Sequence, residues 1–380
     1  MSEVLAAARK RDLSSAIAEA HVIVCTGSGG VGKTTTAAAL ALGAAHAGRR
    51  TIVLTIDPAR RLAQSLGLRA LDHIPRPVKG VEGLDAMMLD MKHTFDEVID
   101  RHAEDARGAR RIKSNRFYQQ LSGSLAGTQE YMAMEKLYDL HMGGAYDCIV
   151  IDTPPTRNAL DFLDAPKRLT DFLEGRFLKM FLNPGLKAGR TIGRAVSFGT
   201  GVFMRAASKI TGAGVLEDLG DFFHSFESMY EGFKDRAQAV YKLLSSPGSA
   251  FVVVATPEPP ALREARYFLR RLEQDGMPTA GLVVNRVTLP PPPSLKGLSA
   301  RKAGAAIAAL ADGGPEQRAA GELLSLHLDR VDVARRERQA VTKGLHGIDP
   351  QVLVDVPRLA GDVHDLEGLE AVGAYLYRTT

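Results

Sequence analysis

The feature that most constrains the fold is a junction near the N-terminus. The run His21-Val-Ile-Val-Cys-Thr26 is short and apolar on both faces. It passes directly into Gly27-Ser28-Gly29-Gly30-Val31-Gly32-Lys33-Thr34 and then into an alanine-rich stretch, 35–46. A strand that is apolar on both sides must be covered on both sides, and a glycine turn from such a strand into a helix begins a βαβ unit. Six further runs have the same character, at 51–56, 84–89, 147–151, 250–255, 280–284 and 351–356, separated by stretches that read as helical. This alternation predicts an α/β fold, a doubly wound and mostly parallel sheet. Ligands of such sheets bind outside the carboxyl ends of the strands, so functional residues are expected just after each run.

The first loop fits G-x-x-x-x-G-K-[ST] in the context that this motif requires, strand before and helix after. Glycines let backbone N–H groups converge on phosphate oxygens, and the helix N-terminus adds partial positive charge. Lys33 can reach the β and γ phosphates, and the Thr34 hydroxyl can ligate Mg²⁺. Two later strand ends carry carboxylates: Asp57-Pro58-Ala59-Arg60 after the second run and Asp152-Thr153-Pro154-Pro155-Thr156 after the fourth. One such carboxylate can hold a water of Mg²⁺ and another can orient an attacking water; taken singly, either could instead cap a helix.

Together, G-x-G-G-V-G-K-T-T, D-P-A and D-T-x-P-T resemble the ArsA and guided-entry (tail-anchored-protein targeting) ATPases, P-loop NTPases of the SIMIBI type, over most of the chain. The resemblance is closest to actinobacterial members that look like paired unequal subunits. It implies ATP and Mg²⁺ as cofactors, with Gly27, Gly29, Gly30, Val31, Gly32 and Lys33 around the phosphates and Thr35 at the α-phosphate. It further implies Thr34 and Asp152 at the metal, the latter through water, and Asp57 activating the hydrolytic water. Asn285 and the loop after Pro357 would hold adenine. Gly127-Thr128-Gln129-Glu130-Tyr131-Met132 is similar to a family segment near the switches, but lacks its proline; a helix start capped by Thr128 accounts for it.

Two departures matter. The family loop usually begins G-K-G-G, and its first lysine reaches a partner's phosphates across a dimer; here Ser28 stands there. The chain is therefore expected either to be a slow ATPase or regulatory nucleotide-binding subunit by itself, or to pair with a homologous subunit that brings the lysine. The arsenite branch binds metalloid through clustered cysteines, and the eukaryotic targeting branch holds zinc in Cys-x-x-Cys. The two cysteines, Cys25 and Cys148, lie 123 positions apart in different apolar runs, so neither an arsenite nor a zinc site is expected. The ATPase subunit of an anion pump remains an alternative by family name.

At 380 residues the chain exceeds one ordinary core. The expected division is 1–94 for the P-loop and switch I part, 95–140 for a helical insertion and 141–159 for the switch II strand. Residues 160–245 form a helical lobe that is the candidate client site, and 246–380 complete the ATPase domain. A net charge of +4 conceals one basic segment. Between 166 and 210, Lys167, Arg168, Arg176, Lys179, Lys187, Arg190, Arg194, Arg205 and Lys209 face only Asp171 and Glu174. Phenylalanines and methionines interleave with them, including Phe172, Phe177, Met180, Phe181, Phe203 and Met204. Three readings stay open: a bundle core, a groove for a hydrophobic or membrane-protein client, and contact with anionic lipid or an acidic partner. No nucleic-acid module is recognisable, and no run of 18 apolar residues or secretory signal occurs, so the expected location is cytoplasmic, with peripheral membrane contact through that segment.

Overall fold

The computed structural model describes residues 13–57, 61–103, 105–115, 118–119, 128–154, 230–290, 300–311, 313–348, 350 and 352–377. Residues 160–229, which include the whole basic segment and most of the candidate lobe 160–245, lie outside them, as do Pro155 and Thr156 of the second switch and prolines 291–293.

Each of the seven apolar runs forms a strand: β1 (Val22–Gly27), β2 (Thr51–Thr55), β4 (Leu84–Met88), β5 (Cys148–Asp152), β6 (Ser249–Ala255), β7 (Thr279–Val287) and β8 (Leu353–Pro357). An eighth, the two-residue β3 (Arg76–Pro77), pairs antiparallel with β4 at the sheet edge. It is too short to leave a periodic signal, and one of its two residues is Pro77. The order is β3-β4-β2-β5-β1-β6-β7-β8, and every other pairing is parallel.

Alternate residues of each strand feed two different cores, as the period of two demands. Val22, Val24, Ile52, Leu54, Ile149, Ile151, Phe251 and Val253 face one side. There they meet α4 (Met91–His102), α5 (Ala106–Ser114), α6 (Thr128–Met142), α7 (Tyr230–Leu244) and α8 (Pro259–Gln274). Ile23, Cys25, Val53, Cys148, Val150, Val252 and Val254 face the other, against α1 (Leu13–Ile17), α2 (Lys33–His46), α3 (Arg61–Ser65) and α11 (Leu366–Leu376). Both cysteines are thus small buried hydrophobes, and burial pushes both thiols up. Helix α2 is buried nearly all round, between the sheet and α11, and its alanines are what permit that closeness. A Cβ on Gly43 would lie 2.2 Å from the Tyr377 ring, whose hydroxyl donates to the Leu40 carbonyl at 2.9 Å.

After β7 comes a helical hairpin, α9 (Ala300–Ala311) and α10 (Pro315–Gly344). The end of α10 packs on α8, with Val341 buried, whereas Leu323 and Leu326 in its first half are 68% and 58% exposed. Among the described residues no helix is long and apolar enough to cross a membrane.

Candidate functional site

The parallel register places the carboxyl ends of β1, β2 and β5 side by side, with Cys25 opposite Asp152 and Thr55 opposite Asp152. The glycine loop leaves β1 at this edge. A Cβ on Gly27 would lie 2.1 Å from the Val254 carbonyl of β6. Gly32 has φ +99°, and a Cβ there would lie 2.2 Å from Asn285 Nδ2. Glycine is therefore required at Gly27 by the close approach of the β6 backbone and at Gly32 by its left-handed φ. Gly32 caps α2 without any side-chain hydrogen bond, so the first-turn N–H groups of Lys33, Thr34 and Thr35 remain for an anion.

Lys33 is 6% exposed, and its Nζ donates to the Ser28 carbonyl at 2.8 Å. Burial pulls its pKa down, against the opposing charges of Asp152 and Asp57. Asp152 is fully buried. Its Oδ2 accepts from the Thr55 hydroxyl at 2.9 Å, while Oδ1 is buried with no hydrogen-bond partner. Burial pushes this carboxyl up to about 6, against the downward pull of the Thr34 and Thr55 hydroxyls and the Lys33 charge. Asp57 is 8% exposed, and its N–H donates to Thr55 Oγ1 at 3.2 Å. Thr153 ties the next residue of the strand end to β1, its hydroxyl donating to the Cys25 carbonyl at 2.8 Å.

An unsatisfied buried carboxylate oxygen beside the first turn of α2 is costly unless something electropositive meets it. Asp152 Oδ1 with the Thr34 hydroxyl is an all-oxygen donor set, the kind that suits a hydrated Mg²⁺. The residues present therefore fit magnesium and a phosphate ester together. No cluster of three or more His, Cys, Asp or Glu side chains able to hold a metal occurs among the described residues.

Asn285 sits at the end of β7, where a register shift against β8 makes a bulge and Arg286 adopts φ +62°. The bulge re-aims the side chain inward, as bulges beside sites do. Asn285 Nδ2 donates to the Val31 carbonyl at 2.9 Å, and its Oδ1 accepts from the Arg286 N–H. The adenine-side candidate is thus also a brace for the phosphate loop. Pro357 ends β8 buried, and the next N–H, that of Arg358, reaches the Val287 carbonyl at 3.0 Å. A cavity of about 380 Å³ is lined by Ser28, Gly29, Gly30 and Val31 of the loop together with Thr256, Glu258, Glu264 and Arg286.

Three participants were not singled out as site residues from sequence. Thr55 bridges the two aspartates with one hydroxyl. Gln129 Nε2 donates to the Ile56 carbonyl at 2.8 Å, and the neighbouring Glu130 is buried with Oε2 unpartnered. Thr128 is the first described residue of α6. The signal that could have found Thr55 is its place as the last residue of a strand adjoining β5; nothing local marks Gln129.

The family described as "Anion-transporting ATPase" (ArsA) matches residues 20–305. Among similar proteins, ATPase GET3 of Malassezia globosa is 28% identical over 279 residues, covering 72% of this chain and 74% of the relative. ATPase get3 of Schizosaccharomyces pombe is 27% identical, covering 70% and 73%. ATPase ARSA2 of Chlamydomonas reinhardtii is 28% identical, covering 70% and 67%.

Proposed function

Because this chain belongs to the ArsA family of anion-transporting ATPases, we propose that it binds ATP with Mg²⁺ at the joined ends of β1, β2 and β5 and hydrolyses it. The single observation that carries this reading is Asp152 Oδ1, a buried oxygen without a partner beside Lys33, Thr34 and Asp57. Bound Mg²⁺ would neutralise charge on the β and γ phosphates. The loop N–H groups and the α2 N-terminus hold the phosphates, and Lys33 exchanges the Ser28 carbonyl for a phosphate oxygen. Thr34 would ligate the metal and Asp152 would hold it through a water, and Thr35 supports the α-phosphate. Asp57 orients the attacking water in line with the γ-phosphate. Asn285 and the turn after Pro357 border the base.

The nucleotide state is then read by the helical lobe at 160–245, the candidate site for a hydrophobic or membrane-associated client. Residues 160–229, basic and rich in Phe, enter this proposal by their composition alone. Ser28 favours a second reading, in which the chain is slow alone and forms one half of a pair whose other subunit supplies a lysine. Such a cation in trans raises phosphoryl-transfer rates by about 10³ to 10⁵ where arginine fingers act.

Single-turnover hydrolysis of Mg-ATP by the chain alone, by Ser28→Lys, and by the chain mixed with a lysine-bearing homologue tests both. The expected result is slow turnover alone and acceleration in the other two. A rate indifferent to Ser28→Lys and to the homologue would remove the pairing. Absence of ATP binding would remove the ATPase reading itself.

A further inference from the structure

The peptide unit joining Ile56 to Asp57 lies just past the last ladder residue of β2, Thr55, where the sheet no longer dictates its orientation. Two side chains fix it instead. Its N–H, on Asp57, donates to Thr55 Oγ1 at 3.2 Å, and its C=O, on Ile56, accepts from Gln129 Nε2 at 2.8 Å. The preceding N–H, on Ile56, donates to the Asp152 carbonyl at 3.0 Å. A peptide plane gripped at both of its polar ends leaves ψ of residue 56 and φ of residue 57 little freedom, and those angles set the direction of the Asp57 side chain. Of these grips only Gln129 comes from outside the sheet.

We infer that Gln129 is a positioning residue for Asp57: its amide, delivered by the first turn of α6, aims the carboxylate that the reading above assigns to the attacking water. The inference rests on that reading for its catalytic consequence, while the clamp itself stands on the hydrogen bonds. Gln129 is half-buried, and its neutral amide donates to a carbonyl without adding charge next to Asp57. Helix α6 is a firm base for such a clamp. Its Glu135 and Asp139 are bonded to Arg236 of α7, and Asp139 also takes both guanidinium nitrogens of Arg101 of α4, at 2.7 and 3.0 Å. A displacement of α6 is therefore transmitted to one peptide plane, and through it to the carboxylate.

The test uses the full-length chain with Gln129→Met, which keeps length and helix propensity but removes the donor, and Gln129→Asn, which keeps the amide but falls short. In residue-resolved hydrogen exchange, both variants should speed exchange at the Ile56 and Asp57 amides by about tenfold, roughly what one lost hydrogen bond allows, with the rest of β2 and α6 unchanged. The single-turnover rate constant for Mg-ATP should fall by about tenfold, with ATP affinity changed less than about twofold. In an Asp57→Asn background Gln129→Met should cause no further loss. Unchanged exchange at 56–57, or faster exchange spread along α6, would overturn the clamp. A full additional loss on top of Asp57→Asn would overturn its action through Asp57. Were Asp57→Asn to hydrolyse ATP like the parent, the catalytic reading would fall, and hydrogen exchange would still decide the clamp.

Discussion

The two sides of the strand tips are finished to different degrees. On the tips themselves, backbone register brings Lys33, Asp57 and Asp152 together, and the result is incomplete: Asp152 Oδ1 has no partner and Lys33 rests on a loop carbonyl. On the helical layer α4–α6–α7, a few ångströms of side chain do the joining, and the ion-pair network around Arg236 is closed, although Glu130 Oε2 of α6 is buried outside it without a partner. Arg236 reaches Glu135 at 2.6 Å and Asp139 at 2.7 Å and lies 4.3 Å over the Tyr138 ring, and the Tyr131 hydroxyl donates to Glu135. Burial raises the Glu135 pKa despite Arg236, whereas Arg101 and Arg236 together hold Asp139 below its ordinary range against its own burial. The comparison teaches that a ligand can improve the first region, while loss of Arg236 can only damage the ion pairs of the second.

Breaking the closed region should cost most. Arg236→Ala leaves Glu135, with its side chain 1% exposed, as an uncompensated buried charge, and removing one partner of such a pair costs about 3–5 kcal/mol. Urea denaturation at neutral pH should show that loss.

Asp152→Asn should act in the opposite direction. The folded carboxyl titrates at about 6, above an unfolded value of about 3.9. The stability it contributes is therefore fully present below about pH 4 and is lost as pH rises through 6. At neutral pH the ionised form costs about 3 kcal/mol. The variant should melt higher than the parent at pH 7.5 without nucleotide, match it near pH 4, and lose the added stabilisation that Mg²⁺ with ATP gives the parent. A lower melting point at pH 7.5 would mean that the strand tips are already satisfied.

The smallest effect belongs to exposed pairs outside both regions. Arg335, 68% exposed in its bridge to Asp332, should change stability by less than about 0.5 kcal/mol when replaced by Ala. A larger loss would show that α10 depends on its surface charges.

The same contrast explains what could be read from the chain. The strands, the glycine loop and the two aspartates are local patterns, because a buried parallel strand must be apolar throughout and its functional residue must follow it. Gln129 bonding Ile56, Asn285 bonding Val31 and Arg236 bonding Glu135 join residues 73, 254 and 101 positions apart. Spacing carries no trace of such contacts, and a polar residue on a helix looks alike whether it faces water or a strand end. Asn285 was legible as a residue at a strand tip, but its hold on the loop needed the bulge at Arg286, which a smooth apolar run does not announce.

The most direct test of the strand-tip account is single-turnover Mg-ATP hydrolysis by Asp57→Asn, with ATP binding measured in parallel. The account predicts affinity within about threefold of the parent and a rate constant lower by on the order of 10²-fold or more, since an interaction made only in the transition state is lost. Equal rates at equal affinity would contradict it.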